Sequence, residues 1–265
     1  MLIAQITDFH IVEPGGRMAD RVDPSAALAA AIESINALDP LPDVVLATGD
    51  LVNDGMSIQY DQLLALLESL LVPVLPIPGN HDDRTEMRRR FPQLPAGGPT
   101  DPIDYVVDDH AVRLIGLDTS IPGDRHDGAL STTQLDWLDR QLAAAPDRPT
   151  VIFQHHPPFP SRISWMDEQN GFADPDSEAA VLTGHDQVEA VLCGHVHRAI
   201  HRRFGGTIAS ACPSTAVQLV LDLVGDTPAY TDQPAALMLH HFADGALNSH
   251  VVAVAAADQW TPSWA

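Results

Sequence analysis

Short apolar segments alternate with longer segments of helical periodicity in the first half of the chain. The pattern predicts strands at 2–7, 43–48 and 72–77, and helices at 24–38 and 57–71. The first helix has Asp23 at its expected N-cap and Pro24 directly after it, which favours a helix start there. An order of strand, helix, strand, helix, strand is typical of a βαβ sheet with parallel strands.

The second half of the chain contains shorter predicted elements. Strands are expected at 104–108, 112–118, 150–154 and 188–192, and a helix at 131–144. Alternating segments separated by turn residues then predict an antiparallel meander, at 200–204, 207–211, 237–242 and 247–254. The stretch 157–176 is rich in Pro, Asp and Gly, and we interpret it as a cap-like functional loop because compact domains rarely keep so long a loop.

The length of 265 residues is consistent with one domain. We therefore expect a single domain over 1–265, with a C-terminal β-rich region at about 199–255. The apolar surface of this C-terminal third would suit a contact between subunits, so we predict a homo-oligomer.

The charge of the chain is strongly negative. It has 36 Asp and Glu against 14 basic residues, all of them arginine, which gives a net charge of −22. Such a charge repels polyanions, so a nucleic-acid polymer is a disfavoured partner. Two cysteines cannot form a disulfide framework, which suits a reducing compartment. No apolar run reaches about 18 residues and no signal peptide is recognisable, so we predict a cytoplasmic protein without a membrane partner.

Polar clusters follow five of the predicted strands. They are Asp8 and His10, Asp50, Asn80 and His81, His155, and His195 and His197. Ligands bind at the carboxyl ends of strands in open α/β sheets, so we expect these side chains to converge in one pocket. Each cluster alone has an ordinary structural explanation; Gly49-Asp50, for example, is common turn chemistry. Five clusters at successive strand ends nevertheless predict a metal site.

The types of residue in these clusters restrict the metal. Imidazole together with carboxylate suits first-row ions such as Fe, Mn, Co or Zn, and the set contains no cysteine that would indicate a thiolate zinc site. The candidate ligands are Asp8, His10, Asp50, Asn80, His155, His195 and His197. Seven ligands exceed what one tetrahedral ion needs, which predicts two divalent ions about 3.5–4 Å apart with a bridging carboxylate.

The order of these clusters resembles the five motifs of the calcineurin-like metallophosphoesterases. The matching segments are Asp8-x-His10, Gly49-Asp50, Gly79-Asn80-His81-Asp82, His155 and Gly194-His195-x-His197. The segments 77–83, 117–123 and 155–160 resemble more narrowly the class III cyclic nucleotide phosphodiesterases and the bacterial glycerophosphodiesterases. The resemblance implies a four-layer α-β-β-α sandwich. It also implies hydrolysis of small phosphodiesters, either 3′,5′-cyclic nucleotides such as cyclic AMP or glycerophosphodiesters, by a metal-bound hydroxide.

The resemblance also implies roles for individual residues. It assigns Asp8, His10, Asp50 and His197 to the first ion, and Asp50, Asn80, His155 and His195 to the second. His81 would face the substrate, where it stabilises the phosphoryl oxygens or protonates the leaving group, and Asp82 could orient its imidazole. We expect Asn80, His81 and His156 to contact the substrate. Some glycerophosphodiesterase relatives carry a further histidine where this chain has Val217, which implies a less polar leaving-group pocket.

Other functions stay open at this stage. A phosphomonoesterase on the same centre would need additional cationic contacts, and arginines such as Arg84 would have to supply them because the chain contains no lysine. A nuclease is disfavoured by the net charge. A non-catalytic scaffold would be expected to lose ligands, whereas every ligand position is filled here. Trp165 and Met166, in the cap-like loop, could cover the pocket or form a subunit contact.

Overall fold

A computed structural model of the protein describes residues 1–123, 126–254, 260–262 and 264. The helices in these ranges are α1 (Pro24–Asn36), α2 (Ser57–Leu67), α3 (Arg84–Arg90), α4 (Thr132–Ala143), α5 (Ser164–Gln169) and α6 (Pro175–Thr183). The strands of the first half are β1 (Leu2–Ile6), β2 (Val44–Thr48), β3 (Val74–Ile77), β4 (Tyr105–Val107), β5 (Arg113–Leu117) and β6 (Gly128–Ala129). Those of the second half are β7 (Thr150–Gln154), β8 (Phe172–Ala173), β9 (Val188–Cys193), β10 (Ile200–Phe204), β11 (Thr207–Ala211), β12 (Gln218–Leu219), β13 (Tyr230–Thr231), β14 (Ala236–Ala243) and β15 (Ala246–Ala253).

The longer strands form two sheets. The first has the order β15-β14-β1-β2-β3, in which β1, β2 and β3 are parallel and β14 is antiparallel to β1. The second has the order β10-β11-β9-β7-β5-β4, with β5, β7, β9 and β11 parallel. Two small pairs, β12 with β13 and β6 with β8, lie outside these sheets. The parallel strands predicted from the sequence are therefore confirmed, but they are divided between two sheets.

Alternate residues of each strand face different layers. On β1, Ile3 packs between the sheets against Leu114 and Phe153, whereas Ala4 and Ile6 belong to the cluster under α1, α2 and α3. The second sheet packs its other face against α4 and α6. Burial on both faces explains why these strands are continuous apolar runs. The order helix, sheet, sheet, helix is the four-layer α-β-β-α sandwich that the sequence resemblance implies.

The predicted C-terminal meander is wrong. β10 and β11 form a hairpin on the edge of the second sheet, and β11 then runs parallel to β9. β14 and β15 form a separate hairpin, which extends the first sheet beyond β1. Turn residues locate the two hairpins, but nothing local decides which sheet edge each one joins. Residue 255, the end of the predicted β-rich region, lies outside the described residues.

Side-chain hydrogen bonds mark the start of α1 and the end of α2. The Asp23 carboxylate caps α1 by accepting a hydrogen bond from the Ala26 N–H at 3.0 Å, as its position in the sequence predicts. α2 ends at Leu67, before the predicted boundary at 71. Asn36, the last residue of α1, donates to the Ser69 carbonyl and accepts from the Leu71 N–H, so the chain after Leu67 is held in a turn.

The stretch 157–176 contains α5, β8 and the start of α6. It is attached to the second sheet's side of the molecule by the pairing of β8 with β6. Within it, the Asp167 carboxylate accepts hydrogen bonds from the Ser161 and Arg162 N–H groups at 2.6 and 2.8 Å. We call this stretch the cap segment. Among the described helices, the longest has 13 residues, and none is long and apolar enough to cross a membrane.

Candidate metal centre

Five parallel strands of the two sheets, β1, β2, β3, β7 and β9, direct their carboxyl ends to the same edge of the sandwich. The residues that follow these ends include all seven predicted ligands, and each of the seven is at most 8% exposed: Asp8, His10, Asp50, Asn80, His155, His195 and His197. The structure therefore brings together side chains that are as much as 189 positions apart in the chain.

The backbone at this edge is strained. Left-handed φ angles occur at Asp8 (53°), His10 (47°), Asp50 (49°), His195 (71°) and His197 (50°). A non-glycine residue in such a conformation costs about 1–3 kcal/mol, and such residues cluster at functional sites because the surrounding structure must hold them there. Five of the seven candidate ligands carry this strain, which indicates that the fold is built to place them.

Two glycines allow the loops to approach closely. A Cβ atom at Gly79 would lie 2.2 Å from Oδ1 of Asp50, and one at Gly194 would lie 2.0 Å from Oγ1 of Thr7. Both distances are below any tolerated contact. The glycines of the Gly-Asn-His-Asp and Gly-His-x-His segments are therefore required by space at this site.

The first group of possible ligand atoms comes from Asp8, His10 and His197, which lie within 4.8 Å of one another. Nε2 of His197 is 3.4 Å from Oδ1 of Asp8 and 3.2 Å from Nε2 of His10. Nε2 of His10 is in turn 3.7 Å from Oδ2 of Asp50. The other ring nitrogen of His197, Nδ1, lies 2.8 Å from the Val217 carbonyl oxygen, which accepts its hydrogen.

The second group is centred on His155. Its Nε2 atom is 3.4 Å from Oδ2 of Asp50, 3.1 Å from Oδ1 of Asn80 and 3.2 Å from Nδ1 of His195. Nδ1 of His155 donates to the Thr48 carbonyl at 2.8 Å. Asp50 contacts both groups, which is the position required of a bridging carboxylate.

The arrangement of the candidate ligand atoms favours a bound cation over direct contacts among these side chains. A neutral imidazole has a single N–H, and in His155 and His197 the Nδ1–H is already donated to a carbonyl oxygen. Nε2 of His195 likewise lies 3.1 Å from the Asn170 carbonyl, which leaves its Nδ1 without the hydrogen. The lone pairs of His155 Nε2 and His195 Nδ1 then face each other at 3.2 Å, and only a proton or a metal ion between them removes the repulsion. Mixed imidazole, carboxylate and amide ligands suit first-row transition metals.

The charges of the site support the same conclusion. Burial alone would raise the pKa of the Asp50 carboxyl, but His155 and His81 hold that pKa well below its usual range. Burial lowers the pKa of His155, yet the Asp50 and Asp8 carboxylates outweigh it and raise that pKa to about 9. Burial and His155 together lower the pKa of His195 to about 4. The facing pair therefore favours one positive charge between its two nitrogens, which is the electrostatic setting that also favours a bound cation.

His81 lies at the edge of the first group. Its ring meets that of His10 edge-on, with 4.8 Å between the ring centroids. Its backbone N–H donates to Oδ1 of Asp50 at 3.0 Å, and its Nδ1 atom is 2.6 Å from the Asn53 carbonyl oxygen. Nδ1 of His81 therefore contacts a backbone carbonyl, and a carbonyl has no signature in the sequence.

Asp82 has a different position from the one expected of a partner for His81. Oδ2 accepts hydrogen bonds from the Leu51 and Gly79 N–H groups at 3.1 and 2.9 Å. Oδ1 accepts from the Val52 N–H at 3.3 Å and from the Tyr60 hydroxyl at 2.9 Å. The carboxylate thus joins the loop that carries Asp50 to the loop that carries Asn80.

His156 and Arg84 lie beside the centre. His156 is fully buried, its ring centroid 4.4 Å from that of His195, and it lines a neighbouring cavity of about 150 Å³ rather than the pocket above the candidate ligands. The Arg84 guanidinium forms a buried ion pair with Asp118 at 2.5 Å and donates to the Ser120 carbonyl. Neither side chain lines the pocket above the candidate ligands, but Arg84 lines a separate cavity of about 390 Å³ that also includes Asn80 and His81.

The pocket itself has a volume of about 80 Å³. His81, Asn80 and Asp50 line its base, and Trp165 and Tyr230 line it farther out. Trp165 comes from the cap segment, as its sequence position suggested. Tyr230 has no motif, and it reaches the site only because β13 pairs with β12, with Tyr230 opposite Leu219.

Comparison with known proteins places this geometry in context. A profile of the calcineurin-like phosphoesterase family matches residues 1–199. The chain is 35% identical to the probable glycerophosphodiester phosphodiesterase GpdQ of Arcobacter nitrofigilis, over 92% of this chain and 89% of that protein. It is 33% identical to the 3′,5′-cyclic adenosine monophosphate phosphodiesterase CpdA of Escherichia coli K12, over 82% of this chain and 76% of that protein.

Solved structures share the fold at low sequence identity. A dimetal phosphatase from Danio rerio superposes with a TM-score of 0.68 at 15% identity, covering 96% of this chain and 99% of that one. A purple acid phosphatase from yellow lupin gives a TM-score of 0.71 at 17% identity, covering 96% of this chain and 51% of that one. These similarities confirm the sandwich architecture.

Proposed function

Since the chain belongs to the calcineurin-like phosphoesterase family, we propose that it hydrolyses small phosphodiesters with two divalent transition-metal ions, which are Fe, Mn, Co or Zn. The curated relatives named above act on glycerophosphodiesters or on 3′,5′-cyclic AMP, and we extend these two classes of substrate to this chain. The observation that carries the proposal is the convergence of two facing pairs of imidazole nitrogens, each at 3.2 Å, on the shared carboxylate of Asp50.

Each ion has its own ligands, with Asp50 shared between them. The first would be held by Asp8, His10, Asp50 and His197, and the second by Asp50, Asn80, His155 and His195. When bound, such ions supply Lewis acidity and lower the pKa of a coordinated water from about 15.7 towards 7. The protein orients the ligands through backbone carbonyls, which fix the ring nitrogen that each of His155, His195 and His197 presents to the centre.

The charge of the centre explains how an acidic protein accepts an anion. Asp8 and Asp50 are the only carboxylates among the seven ligands, so they offset about half the charge of two divalent ions. The centre stays locally positive and attracts the single negative charge of a phosphodiester, despite a chain charge of −22.

His81 acts on the substrate side of the centre. Its Nδ1 lies 2.6 Å from the Asn53 carbonyl oxygen, and we assign Nε2 to the phosphate and the leaving group. A proton on Nε2 stabilises charge that develops on the phosphoryl oxygens, or is passed to the departing alkoxide. Asp82 supports this role because its carboxylate joins the loop that carries Asp50 to the loop that carries Asn80 and His81.

The surroundings of the pocket favour a diester over a monoester. A monoester dianion needs more cationic contacts, but no arginine is found among the described residues that line the pocket, and Arg84 is already paired with Asp118. Phosphomonoesterase activity is therefore the second candidate. A non-catalytic scaffold is less favoured, because all seven ligands are present and in contact.

The experiment measures metal content and hydrolysis in the same preparation. Metal-replete protein is expected to contain about two transition-metal ions and to hydrolyse bis(p-nitrophenyl) phosphate faster than p-nitrophenyl phosphate, with loss of activity in a chelator. A panel of cyclic AMP, 2′,3′-cyclic nucleotides and glycerophosphodiesters then identifies the natural class. Metal-replete protein that hydrolyses no diester in this panel would refute the proposal.

Two further features of the proposal concern the state of the protein. Leu221, Leu223 and Val224 are exposed on the loop between β12 and β13, which supports a homo-oligomer. Light scattering on a sizing column tests the oligomeric state.

Cys193 and Cys212 are free, buried thiols, which supports a reducing, cytoplasmic location. Cell fractionation tests this location.

A further inference from the structure

Two aromatic side chains form the outer part of the pocket at the metal centre. Trp165 extends from α5 of the cap segment, and Tyr230 extends from β13. We call this pair the aromatic rim. The pocket below it, about 80 Å³, is much smaller than the roughly 300 Å³ that encloses a drug-sized ligand. Only the phosphate and its nearest atoms fit inside, and an ester group that leaves the pocket past Trp165 and Tyr230 lies against the rim.

Tyr230 has a fixed position beside the first group of ligands. Its ring stacks on that of His197, with 6.2 Å between centroids and an angle of 28° between the planes. The β12–β13 pairing holds it there, and this pairing is extended by a hydrogen bond from the Val220 N–H to the Ala229 carbonyl at 2.7 Å. Tyr230 is 50% exposed, so part of its surface is open for contact with a substrate.

Trp165 is held on the other side of the pocket by the cap segment. The Asp167 carboxylate fixes the start of α5 through hydrogen bonds from the Ser161 hydroxyl and the Arg162 N–H, both at 2.8 Å. Trp165 packs partly against the core of the second sheet, and its neighbour Met166 is buried. Both rim residues are therefore preorganised, which reduces the entropy lost when a ligand binds.

The rim is uncharged as well as flat. Neither an indole nor a phenol side chain carries a formal charge near neutral pH. A neutral aromatic surface interacts with planar groups by stacking, whereas a glycerol arm has no planar face to offer.

We infer that Trp165 and Tyr230 determine the specificity of this site, and that they favour phosphodiesters whose ester group carries a planar ring, such as a nucleobase, over those with an open-chain alcohol. The inference rests on the proposed function, and it selects the cyclic-nucleotide class from the two classes proposed there. Stacking of a base on an aromatic side chain contributes enough to change an affinity by about fivefold to more than 100-fold.

The first experiment compares two substrates in rim variants. The ratio of kcat/KM for cyclic AMP to kcat/KM for glycerophosphoethanolamine is expected to fall about tenfold in Tyr230→Ala and in Trp165→Ala, mainly through KM. Tyr230→Phe should restore the ratio, because it keeps the ring and removes only the hydroxyl. Trp260→Ala, which removes an exposed aromatic side chain that does not line the pocket, is the matched control. Metal content is measured in every variant because Tyr230 contacts His197.

The second experiment does not depend on turnover. Adenosine 5′-monophosphate is expected to quench tryptophan fluorescence in the wild type, and this quenching should be lost in Trp165→Phe, in which the other three tryptophans remain. Glycerol 3-phosphate should cause little quenching. The inference would be overturned by an unchanged substrate ratio in both alanine variants, or by equal quenching in the wild type and in Trp165→Phe. If both diesters were still hydrolysed in that case, the proposed function would remain intact. Absence of any hydrolysis would instead refute the proposed function, and the quenching would still test the rim.

Discussion

Nε2 of His155 lies 3.1 Å from Oδ1 of Asn80, although 75 positions separate the two residues in the chain. Nδ1 of the same imidazole is already bonded to the Thr48 carbonyl, so the atom that faces the amide oxygen has no hydrogen in the neutral ring. The contact is favourable only with a positive charge between the two atoms. Either a proton on Nε2, which the raised His155 pKa of about 9 allows, or a metal ion supplies that charge, so the contact supports the proposed role of Asn80 as a ligand.

Removal of this amide should affect one ion more than the other. Asn80→Ala is expected to lower the metal content from about two ions per chain towards one, because the Asn80 amide oxygen lies 3.1 Å from Nε2 of His155, at the centre of the second group. Elemental analysis after dialysis measures the stoichiometry, and His241→Ala, an exposed histidine on β14, is the control. Retention of two ions by Asn80→Ala at limiting metal concentration would contradict this assignment.

Gly194 is expected to tolerate no side chain. In Gly194→Ala, the new Cβ would lie 2.0 Å from Oγ1 of Thr7 and 2.9 Å from Oδ2 of Asp8, so the strand ends must move apart. We expect a loss of about 1–3 kcal/mol in the free energy of unfolding, together with weaker metal binding. Gly184→Ala is a matched control, since its nearest contact would be 3.4 Å. Denaturant unfolding checks the prediction, and equal effects of the two substitutions would disprove it.

Glu178 should make the protein less stable as the pH rises. It is fully buried on α6, and burial raises its pKa to about 8, with Nε2 of Gln154 as its hydrogen-bond donor at 3.4 Å. Between about pH 4.5 and pH 8 the unfolded chain releases this proton and the folded chain keeps it, so stability falls as the pH increases through that window.

Glu178→Gln is therefore expected to raise the free energy of unfolding at pH 8 by a few kcal/mol relative to its effect at pH 5. Urea unfolding of metal-free protein at both pH values measures the difference. Glu168→Gln, an exposed position on α5, serves as the control. The same effect of Glu178→Gln at both pH values would show that the carboxyl is ionised in the folded protein.

His240 should have the opposite dependence on pH. Burial lowers its pKa to about 3, and its two ring nitrogens contact Oε1 of Gln5 and Oγ of Ser249 at 3.1 and 2.8 Å. The unfolded chain takes up a proton as the pH falls below about 6.5, whereas the folded chain does not, so stability decreases towards acid.

We expect His240→Gln to reduce the slope of unfolding free energy against pH between 6 and 4 by about 1.4 kcal/mol per unit. The slope is the useful quantity because the substitution also removes a hydrogen bond at every pH. His241→Gln, one position along and exposed, should leave the slope as in the wild type. An identical slope in His240→Gln and His241→Gln would mean that His240 is protonated in the folded state.

The candidate ligands could be predicted from sequence because each lies directly after a buried strand. An apolar run followed by Asp8 and His10, or by His195 and His197, is visible in the chain itself. Backbone carbonyls carry no such signal: the Val217 and Asn170 oxygens fix the imidazoles of His197 and His195, yet any residue type supplies a carbonyl. The left-handed φ angles of the ligands are likewise consequences of the assembled loops.

The sequence could not predict the positions of residues that depend on which strands pair at the edges of the sheets. Tyr230 is 33 positions after His197, and its ring reaches that histidine only through the β12–β13 pair. The hairpins β10–β11 and β14–β15 have similar alternating patterns, although they extend different sheets. The contacts of Asp82 could not be predicted from its sequence neighbours either. Its oxygens accept hydrogen bonds from the Leu51, Val52 and Gly79 N–H groups and from the Tyr60 hydroxyl, and not from His81.

The hydrogen bond from Nε2 of His195 to the Asn170 carbonyl joins a candidate metal ligand to the C-terminal end of α5 in the cap segment. Linkage of this kind is reciprocal, so an ion bound through His195 would stabilise this end of α5, and displacement of this end of α5 would weaken the binding of the ion. Substitutions that displace α5 to admit bulkier substrates are consequently expected to weaken metal binding as well. Substrate size and metal affinity will therefore change together during evolution.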